Sequence, residues 1–356
     1  MKEWIKVFVR IFVVVIGLVG NLCSFVFFMR KNNKLNFYVL MIMLSVYNIL
    51  MILMDLLIFS VPLVNYYHYV IIAAYSLLEI GVTGSIYSTI AISAERYLVV
   101  CHPFYADSNK KWCPRNQIIL VTTFSLIYNI PTVFELQTFR CENEQIDTSS
   151  VQCQNLASIR SGFVPEMQKC SNETVFIVPT NLRCNKDFFL IYHIGLDLCF
   201  KCVIPFFTLL ALNCVIILTL AKNQAYSSDL ADRRRSTIFS INNKIHSQIN
   251  ENQTSSCLQV ERRGTERQEI RLAVTNLVIV LMFIICHSVI WIPKIYEAIM
   301  GTNTDIQRVF DGFKLGYFFT ALNSSINCYV YFFTHHDPVE YFKFCLRSLF
   351  QRLFLR

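Results

Sequence analysis

Long apolar runs separated by polar stretches dominate the chain. Seven runs reach the roughly 20 residues that a membrane-crossing helix needs, and they lie near residues 8–29, 37–61, 70–98, 117–136, 188–221, 270–298 and 309–334. We call them segments 1 to 7. The pattern predicts an all-α membrane protein, a bundle of seven transmembrane helices that forms one domain over residues 1–356.

The composition is typical of helices that face lipid. Hydrophobic residues make up 54% of the chain and charged residues 16%, whereas soluble globular proteins carry about 25% charged residues. The net charge of +8 does not indicate nucleic-acid binding, because the basic residues gather in short stretches between apolar runs. Such stretches orient helices and meet anionic lipid headgroups, so we expect membrane lipid as a partner and no nucleic acid.

Basic residues in the short loops predict the orientation, because they favour the cytoplasmic side. The loops after segments 1 and 3 contain Arg30, Lys31, Lys34, Lys110, Lys111 and Arg115, whereas residues 61–69 contain no lysine or arginine. Lys2, Lys6 and Arg10, near the N-terminus, oppose this pattern. We give more weight to the alternation between loops with and without basic residues. We therefore expect the N-terminus outside, and either a minimal outer N-terminal region or a truncated sequence.

The polar stretch 137–187 is then a long extracellular loop. It contains Cys141, Cys153, Cys170 and Cys184, which in an oxidising compartment predict two disulfides with three possible connectivities. The alternative is that some of these cysteines stay free. Asn172, in Asn172-Glu173-Thr174, is a glycosylation acceptor in the same loop.

Two other polar stretches belong on the cytoplasmic side. Residues 222–269 are rich in Ser, Asn, Gln and Arg and predict a mobile loop. Residues 335–356 alternate aromatic and basic residues, which indicates a short amphipathic helix on the inner membrane surface. Cys345 in this tail is a candidate for palmitoylation, and the alternative is a buried, unmodified cysteine.

Segment 3 ends with Glu95-Arg96-Tyr97. A charge at the end of a membrane helix is costly, so Arg96 needs a partner, a hydrated crevice or a function. Glu95 is the nearest candidate to restrain Arg96 in one conformational state. The simpler alternative is that Arg96 only extends to the lipid headgroups.

Several short motifs resemble those of rhodopsin-like (class A) G-protein-coupled receptors. They are Gly20-Asn21, Glu95-Arg96-Tyr97 followed by Leu-Val-Val-Cys-His-Pro, Phe283 with Cys286, and Asn327 with Tyr331. Residues 128–135 and 286–297 further resemble the invertebrate FMRFamide-type neuropeptide receptors.

The resemblance implies a receptor for an extracellular peptide, without cofactor or enzymatic activity. Ligand binding would move segment 6 outward, and a heterotrimeric G protein would dock at Arg96, with arrestin and a receptor kinase as further partners. The residues that it assigns to activation and coupling are Glu95, Arg96, Tyr97, His287, Asn327 and Tyr331.

The chain also departs from the family pattern at named positions. Asn48 replaces the aspartate of a sodium site, Asn213 replaces a tyrosine of segment 5, and His287, Val289 and Cys328 replace a tryptophan and two prolines. No cysteine lies between Cys23 and Cys101, so the usual bridge from segment 3 to the second outer loop cannot form. A divergent, non-signalling receptor therefore stays open as an alternative.

Charged residues in the outer half of the bundle are the candidate ligand site. Asp197 and Lys201 are four residues apart on one helix face. If they pair, Glu79 is the carboxylate left to receive an arginine of the peptide. Tyr75, His193, Trp291 and Tyr296 are candidates for its apolar walls. Leu78 disfavours an amine ligand and Ala321 excludes a retinal Schiff base, because the aspartate and lysine that those ligands require are absent.

An enzyme and a transporter or channel are the two other classes of protein to consider. An enzyme is disfavoured, because no nucleophile with its base, phosphate loop or metal cluster stands out. A transporter or channel also uses intramembrane charge, but internal repeats or interrupted helix pairs are then expected. The chain has no matching halves.

The predicted orientation can be tested with two asparagines. Asn172→Gln should abolish the shift in gel mobility caused by a glycan. Asn252→Gln, in the sequon Asn252-Gln253-Thr254, should leave mobility unchanged, because that sequon faces the cytosol. A glycan at Asn252 would reverse the proposed topology.

Overall fold

The computed structural model describes residues 2–30, 36–59, 68–102, 114–140, 175–222, 277–300 and 306–335. Segments 1, 2, 3 and 7 are single helices over Lys2–Arg30, Asn36–Phe59, His68–Cys101 and Ile306–His335. Segment 4 comprises Pro114–Tyr128 and Ile130–Val133. Segment 5 runs over Lys186–Lys222. Segment 6 comprises residues 277–288 and Trp291–Met300.

Five of the described helices are long and apolar enough to cross a membrane, namely those of segments 1, 2, 3, 5 and 6. Segment 4 has a first helix of only 15 residues. Segment 7 is one continuous helix, but its apolar sequence contains polar residues such as Asp311, Lys314 and Asn323. Asn323 and the neighbouring Ser324 and Ser325 are buried inside the bundle, so these polar groups do not face lipid.

Two apolar clusters hold the helices together. One lies around Leu78, Leu209 and Phe283, and the other joins segments 1 to 4 and 6 around Leu40 and Ile92. Large apolar side chains on the outside are exposed, as Leu120 at 70% and Ile299 at 75% show. Such an apolar exterior is what hydrocarbon tails would cover.

Proline explains a break in segment 6. The helix is interrupted at residues 289–290, four and three positions before Pro293. Because proline has no N–H, the carbonyl of Val289 loses its helical donor and accepts from the N–H of Ile292 at 3.2 Å. The break therefore forms although Val289 itself is not proline. Segment 7 continues through Cys328, which retains its N–H.

A β-hairpin lies at the entrance of segment 5, where the sequence predicted only a loop. Leu136–Arg140 pairs antiparallel with Val175–Pro179, with Leu136 opposite Pro179. The N–H of Thr180 donates to the carbonyl of Glu135 at 2.8 Å, and its hydroxyl donates to the carbonyl of Phe134 at 2.6 Å. The hairpin thereby fixes the start of segment 5 against the end of segment 4.

Glycines let segments 6 and 7 pack closely. A Cβ at Gly316 would lie 2.8 Å from the Cα of Ile290, and a Cβ at Gly312 would lie 2.9 Å from the Cβ of Pro293. Both distances are shorter than normal contacts, so only glycine fits at these positions without a backbone shift.

We predict that Gly316→Ala destabilises the protein by about 1–3 kcal/mol, because the backbone of segment 6 must move. Thermal unfolding of the purified protein in detergent measures the effect. Gly195→Ala is the matched control, since its Cβ meets only the carbonyl oxygen of Leu190 at 3.5 Å. Equal melting temperatures for the two variants would contradict the packing argument.

Candidate functional site

Charged and phenolic side chains meet in the outer half of the bundle, and we call them the polar cluster. Segments 3 to 7 and the residues just before segment 5 all contribute. The members are Glu79, Tyr128, Glu135, Arg183, His193, Asp197, Lys201, Lys294, Glu297 and Tyr317. All of its charged members are buried, and Asp197 is only 1% exposed.

Lys201 lies at the centre of the polar cluster. Its Nζ is 2.5 Å from Oε2 of Glu79 and 3.0 Å from Oδ1 of Asp197. The hydroxyl of Tyr317 donates to the other oxygen of Glu79. One ammonium group therefore contacts a carboxylate of segment 3 and one of segment 5, while segment 7 supplies a further hydrogen bond.

Asp197 connects segment 5 to two other helices. Its Oδ2 is 2.6 Å from Nζ of Lys294 in segment 6, and its Oδ1 accepts from the hydroxyl of Tyr128 in segment 4 at 2.9 Å. A carboxylate in a low-dielectric interior is stable only with such partners. Asp197 is thus the carboxylate through which segments 4, 5 and 6 are joined.

The outer end of the polar cluster is built around Glu135. Its Oε1 is 3.0 Å from Nε2 of His193, and its Oε2 is 4.0 Å from Nε of Arg183. The negative charge of Glu297 also acts on Arg183. Nδ1 of His193 lies 3.7 Å from Asp197, so this histidine joins the outer end to the centre.

Local helix geometry explains why these residues converge. In Trp291–Met300, Trp291, Lys294 and Glu297 recur at i, i+3 and i+6 on the buried face. Segment 5 has π-helical turns over Phe189–Leu196 and Leu198–Val203. His193, Asp197 and Lys201 recur at i, i+4 and i+8 and therefore stay near one face of this helix.

The polar cluster contains more carboxylates than lysine and arginine side chains. Among the described residues it contains four carboxylates, Glu79, Asp197, Glu135 and Glu297, and three basic side chains, Lys201, Lys294 and Arg183. His193 lies between two of these carboxylates, Glu135 and Asp197. A cationic group that entered would therefore be attracted.

The structure changes two predictions about the ligand site. The predicted Asp197–Lys201 pair is present, but the inference that Glu79 is then left without a counter-ion is wrong, because Lys201 contacts both carboxylates. The interpretation of His193 as an apolar wall is also wrong, since its ring nitrogens face Glu135 and Asp197. The physical reason is that a buried carboxylate is stable only when nearby donors form hydrogen bonds or ion pairs with it.

The three other predicted wall residues lie in the same region. The ring of Trp291 is buried, and its centroid lies 4.9 Å from Nζ of Lys294. Tyr75 is buried, and the charges of Glu135 and Glu79 act on its hydroxyl. Tyr296 is half-buried on the helix that carries Lys294.

Sequence reasoning missed Lys294, Glu135, Arg183 and Tyr317 as site residues. The rule that singled out Glu79, an ionisable residue within an apolar segment, also applies to Lys294 and to Glu135 at the end of segment 4. Nothing local distinguishes Tyr317 from the many other aromatic residues. Arg183 reaches the cluster only because the hairpin positions the start of segment 5.

The predicted activation residues lie at the inner end and middle of the bundle. Arg96 is half-buried, with its guanidinium carbon 3.9 Å from the ring centroid of Phe37. The hydroxyl of Tyr97 lies 3.1 Å from Nε2 of His102. Glu95 is buried, and the ring of His287 packs on Phe283 with centroids 4.4 Å apart.

Amide and hydroxyl groups connect the middles of four helices. Asn21 donates to the carbonyl of Ser324 at 3.1 Å, and Asn48 donates to Oδ1 of Asn21 at 3.1 Å. Ser85 in turn donates to Oδ1 of Asn48 at 2.6 Å. Asn48, at the expected aspartate position, thus serves as both donor and acceptor in a chain through segments 1, 2, 3 and 7.

Other predicted sites lie outside the described residues. They are Cys141, Cys153, Cys170, Asn172, Cys345, residues 223–269 and residues 336–356. The helices contain Cys184, Asn327 and Tyr331, but their side chains are not described. The disulfides, the glycan and the palmitoylated cysteine stay predictions.

Comparison with known proteins covers nearly the whole chain. Residues 20–331 match the family described as 7 transmembrane receptor (rhodopsin family). A Drosophila melanogaster protein named FMRFamide receptor is 24% identical over 333 residues, which cover 89% of this chain and 49% of that protein. A Caenorhabditis elegans protein named FMRFamide peptide receptor is 27% identical over 140 residues, which cover 35% of this chain and 31% of that protein. The chain spans about half the length of the Drosophila relative.

We predict that Asp197→Asn destabilises the bundle by about 3–5 kcal/mol, because it removes the carboxylate that two buried lysines contact. Lys294→Gln should cost less, about 1–3 kcal/mol, since Asp197 keeps Lys201 and Tyr128. Thermal unfolding in detergent gives both values. The double variant should recover part of the loss of Asp197→Asn, and strict additivity would argue against the Asp197–Lys294 contact.

Proposed function

Because the chain belongs to the rhodopsin family of seven-transmembrane receptors, we propose that it binds an extracellular amidated peptide of the FMRFamide type and activates a heterotrimeric G protein. Membership of the family confirms the predicted seven-helix bundle, a receptor without enzymatic activity and a multi-pass location in the plasma membrane. The peptide and the G protein are the proposed partners.

The observation that carries the peptide proposal is the set of four buried carboxylates in the polar cluster, against three lysine and arginine side chains. A peptide of the FMRFamide type ends in arginine and an amidated phenylalanine, and both curated relatives carry FMRFamide in their names. Glu79 is already paired with Lys201. The guanidinium of the peptide would therefore be drawn to the outer end, where Glu135 and Glu297 share Arg183.

A cation at the outer end would also act on segment 6. Lys294 and Glu297 lie on the short helix that follows the break at residues 289–290. A positive ligand that competes with Lys294 for the nearby carboxylates would weaken the 2.6 Å contact to Asp197. Segment 6 would then move outward by a shift in populations, and a G-protein helix would contact Arg96 at the inner end.

We predict that cells expressing the protein respond to Phe-Met-Arg-Phe-amide with G-protein activation. Replacing the peptide's arginine by norleucine should raise the half-maximal concentration roughly 10-fold or more, because a charge-assisted hydrogen bond contributes about 1.5–3 kcal/mol. A G-protein biosensor measures the response.

Arg96→Ala is the control for the inner site. It should retain binding of labelled peptide at the cell surface while losing G-protein activation, because Arg96 lies at the opposite end of the bundle from the polar cluster. Binding without activation by the unmodified receptor would favour the divergent, non-signalling alternative. Solute flux without added peptide would favour a transporter.

A further inference from the structure

A second buried ion pair lies between segments 1 and 2. Arg10 is 5% exposed and Asp55 is 1% exposed. Nη2 of Arg10 lies 3.8 Å from Oδ1 of Asp55, which is close enough for charge attraction but too long for a hydrogen bond. Arg10, one of the basic residues that oppose the loop pattern, is therefore a residue of the bundle interior.

Both partners retain unused hydrogen-bonding capacity. Within the described part of the chain, neither carboxylate oxygen of Asp55 accepts a hydrogen bond, and Nη1 of Arg10 donates none. Nη2 of Arg10 donates instead to the backbone carbonyl of Lys314 in segment 7. Buried polar groups are normally satisfied, so a donor and an acceptor side by side indicate a site for a group that offers both.

This pair is separated from the polar cluster by one layer of aromatic rings. The guanidinium of Arg10 lies 4.7 Å from the ring centroid of Phe59. Phe59 packs on Tyr317 with centroids 5.5 Å apart, and the hydroxyl of Tyr317 donates to Glu79. A ligand that reached both places would contact acidic groups on one side and the Arg10–Asp55 pair on the other.

We propose that Arg10 and Asp55 form a subsite for a primary carboxamide, the C-terminal amide of the peptide. The inference rests on the proposed function and deepens it. A carboxamide N–H₂ donates to Asp55, and its carbonyl accepts from Nη1 of Arg10, so each unused group gains a partner. The apolar faces of Phe59 and Tyr317 suit the adjoining phenylalanine ring.

The same geometry selects against the free acid. A carboxylate has no proton to donate to Asp55 at neutral pH, and it brings a second negative charge beside a buried one. Arg10 attracts both forms of the peptide, because carbonyl and carboxylate oxygens both accept from a guanidinium. Discrimination between amide and acid therefore depends on Asp55, whereas overall affinity depends on Arg10.

The test compares two probes, Phe-Met-Arg-Phe-amide and Phe-Met-Arg-Phe with a free carboxyl terminus, on the full-length receptor in cells. The amide should be more potent than the acid by roughly 10-fold or more, because the acid cannot form the charge-assisted hydrogen bond to Asp55. Asp55→Asn should reduce this ratio toward one, because its side-chain amide no longer repels the carboxylate and can donate to it. Arg10→Lys should weaken both peptides and preserve the ratio.

Two further variants separate this effect from misfolding. The double variant Arg10→Gln/Asp55→Asn leaves no unpaired charge in the bundle and should also lose the discrimination. Glu135→Gln, at the outer end of the polar cluster, should weaken both peptides while the ratio stays as in the wild type. Surface expression of each variant is measured with an N-terminal epitope tag.

The outcomes distinguish the two proposals. A wild-type receptor that responds equally to both peptides overturns the carboxamide subsite but leaves the peptide receptor intact. The subsite is also overturned if both Asp55 variants keep the wild-type ratio, in which case an internal water satisfies the pair. A receptor that responds to neither peptide overturns the proposed function, and the subsite with it.

Discussion

A charge inside a membrane protein must be compensated by the protein itself, because lipid offers neither water nor counter-ions. In this bundle the alternating contacts Glu79–Lys201–Asp197–Lys294 meet that constraint. They run through segments 3, 5 and 6, and the hydroxyls of Tyr317 and Tyr128 donate to Glu79 and Asp197 respectively. Because breaking one contact leaves a buried charge exposed to low dielectric, the positions of these helices are coupled.

The polar cluster is connected to segment 6 immediately after the break in that helix. Pro293 removes a backbone hydrogen bond at residues 289–290, and the next residue, Lys294, holds the outer part of that helix to Asp197. Close packing of Gly312 and Gly316 against Pro293 and Ile290 keeps segment 7 beside the same break. A change of charge in the polar cluster would therefore act beside the break in the helix proposed to move.

In the middle of the bundle, uncharged polar side chains join the helices. Asn21, Asn48 and Ser85 form a neutral hydrogen-bonded chain at the position where the family resemblance led us to expect an aspartate. Neutral amides avoid the cost of burying a charge and can act as donors and acceptors at once. The helices there are joined without ions, whereas the outer half concentrates its charges where a cationic ligand would enter.

The sequence alone determined the number of segments, their approximate bounds, the family resemblance and the importance of Glu79, Asp197 and Lys201. These predictions follow from the lengths of the apolar runs, the spacing of residues along one helix and short sequence motifs. Each of these is a property of a single segment. The tertiary structure decided which charges pair. Lys201 is four residues from Asp197 in the chain, but its contact with Glu79 and the partners of Glu135, Lys294 and Arg10 depend on how separate helices and a hairpin pack. Pairing across helices is set by distance in three dimensions, and no pattern within a single helix encodes it.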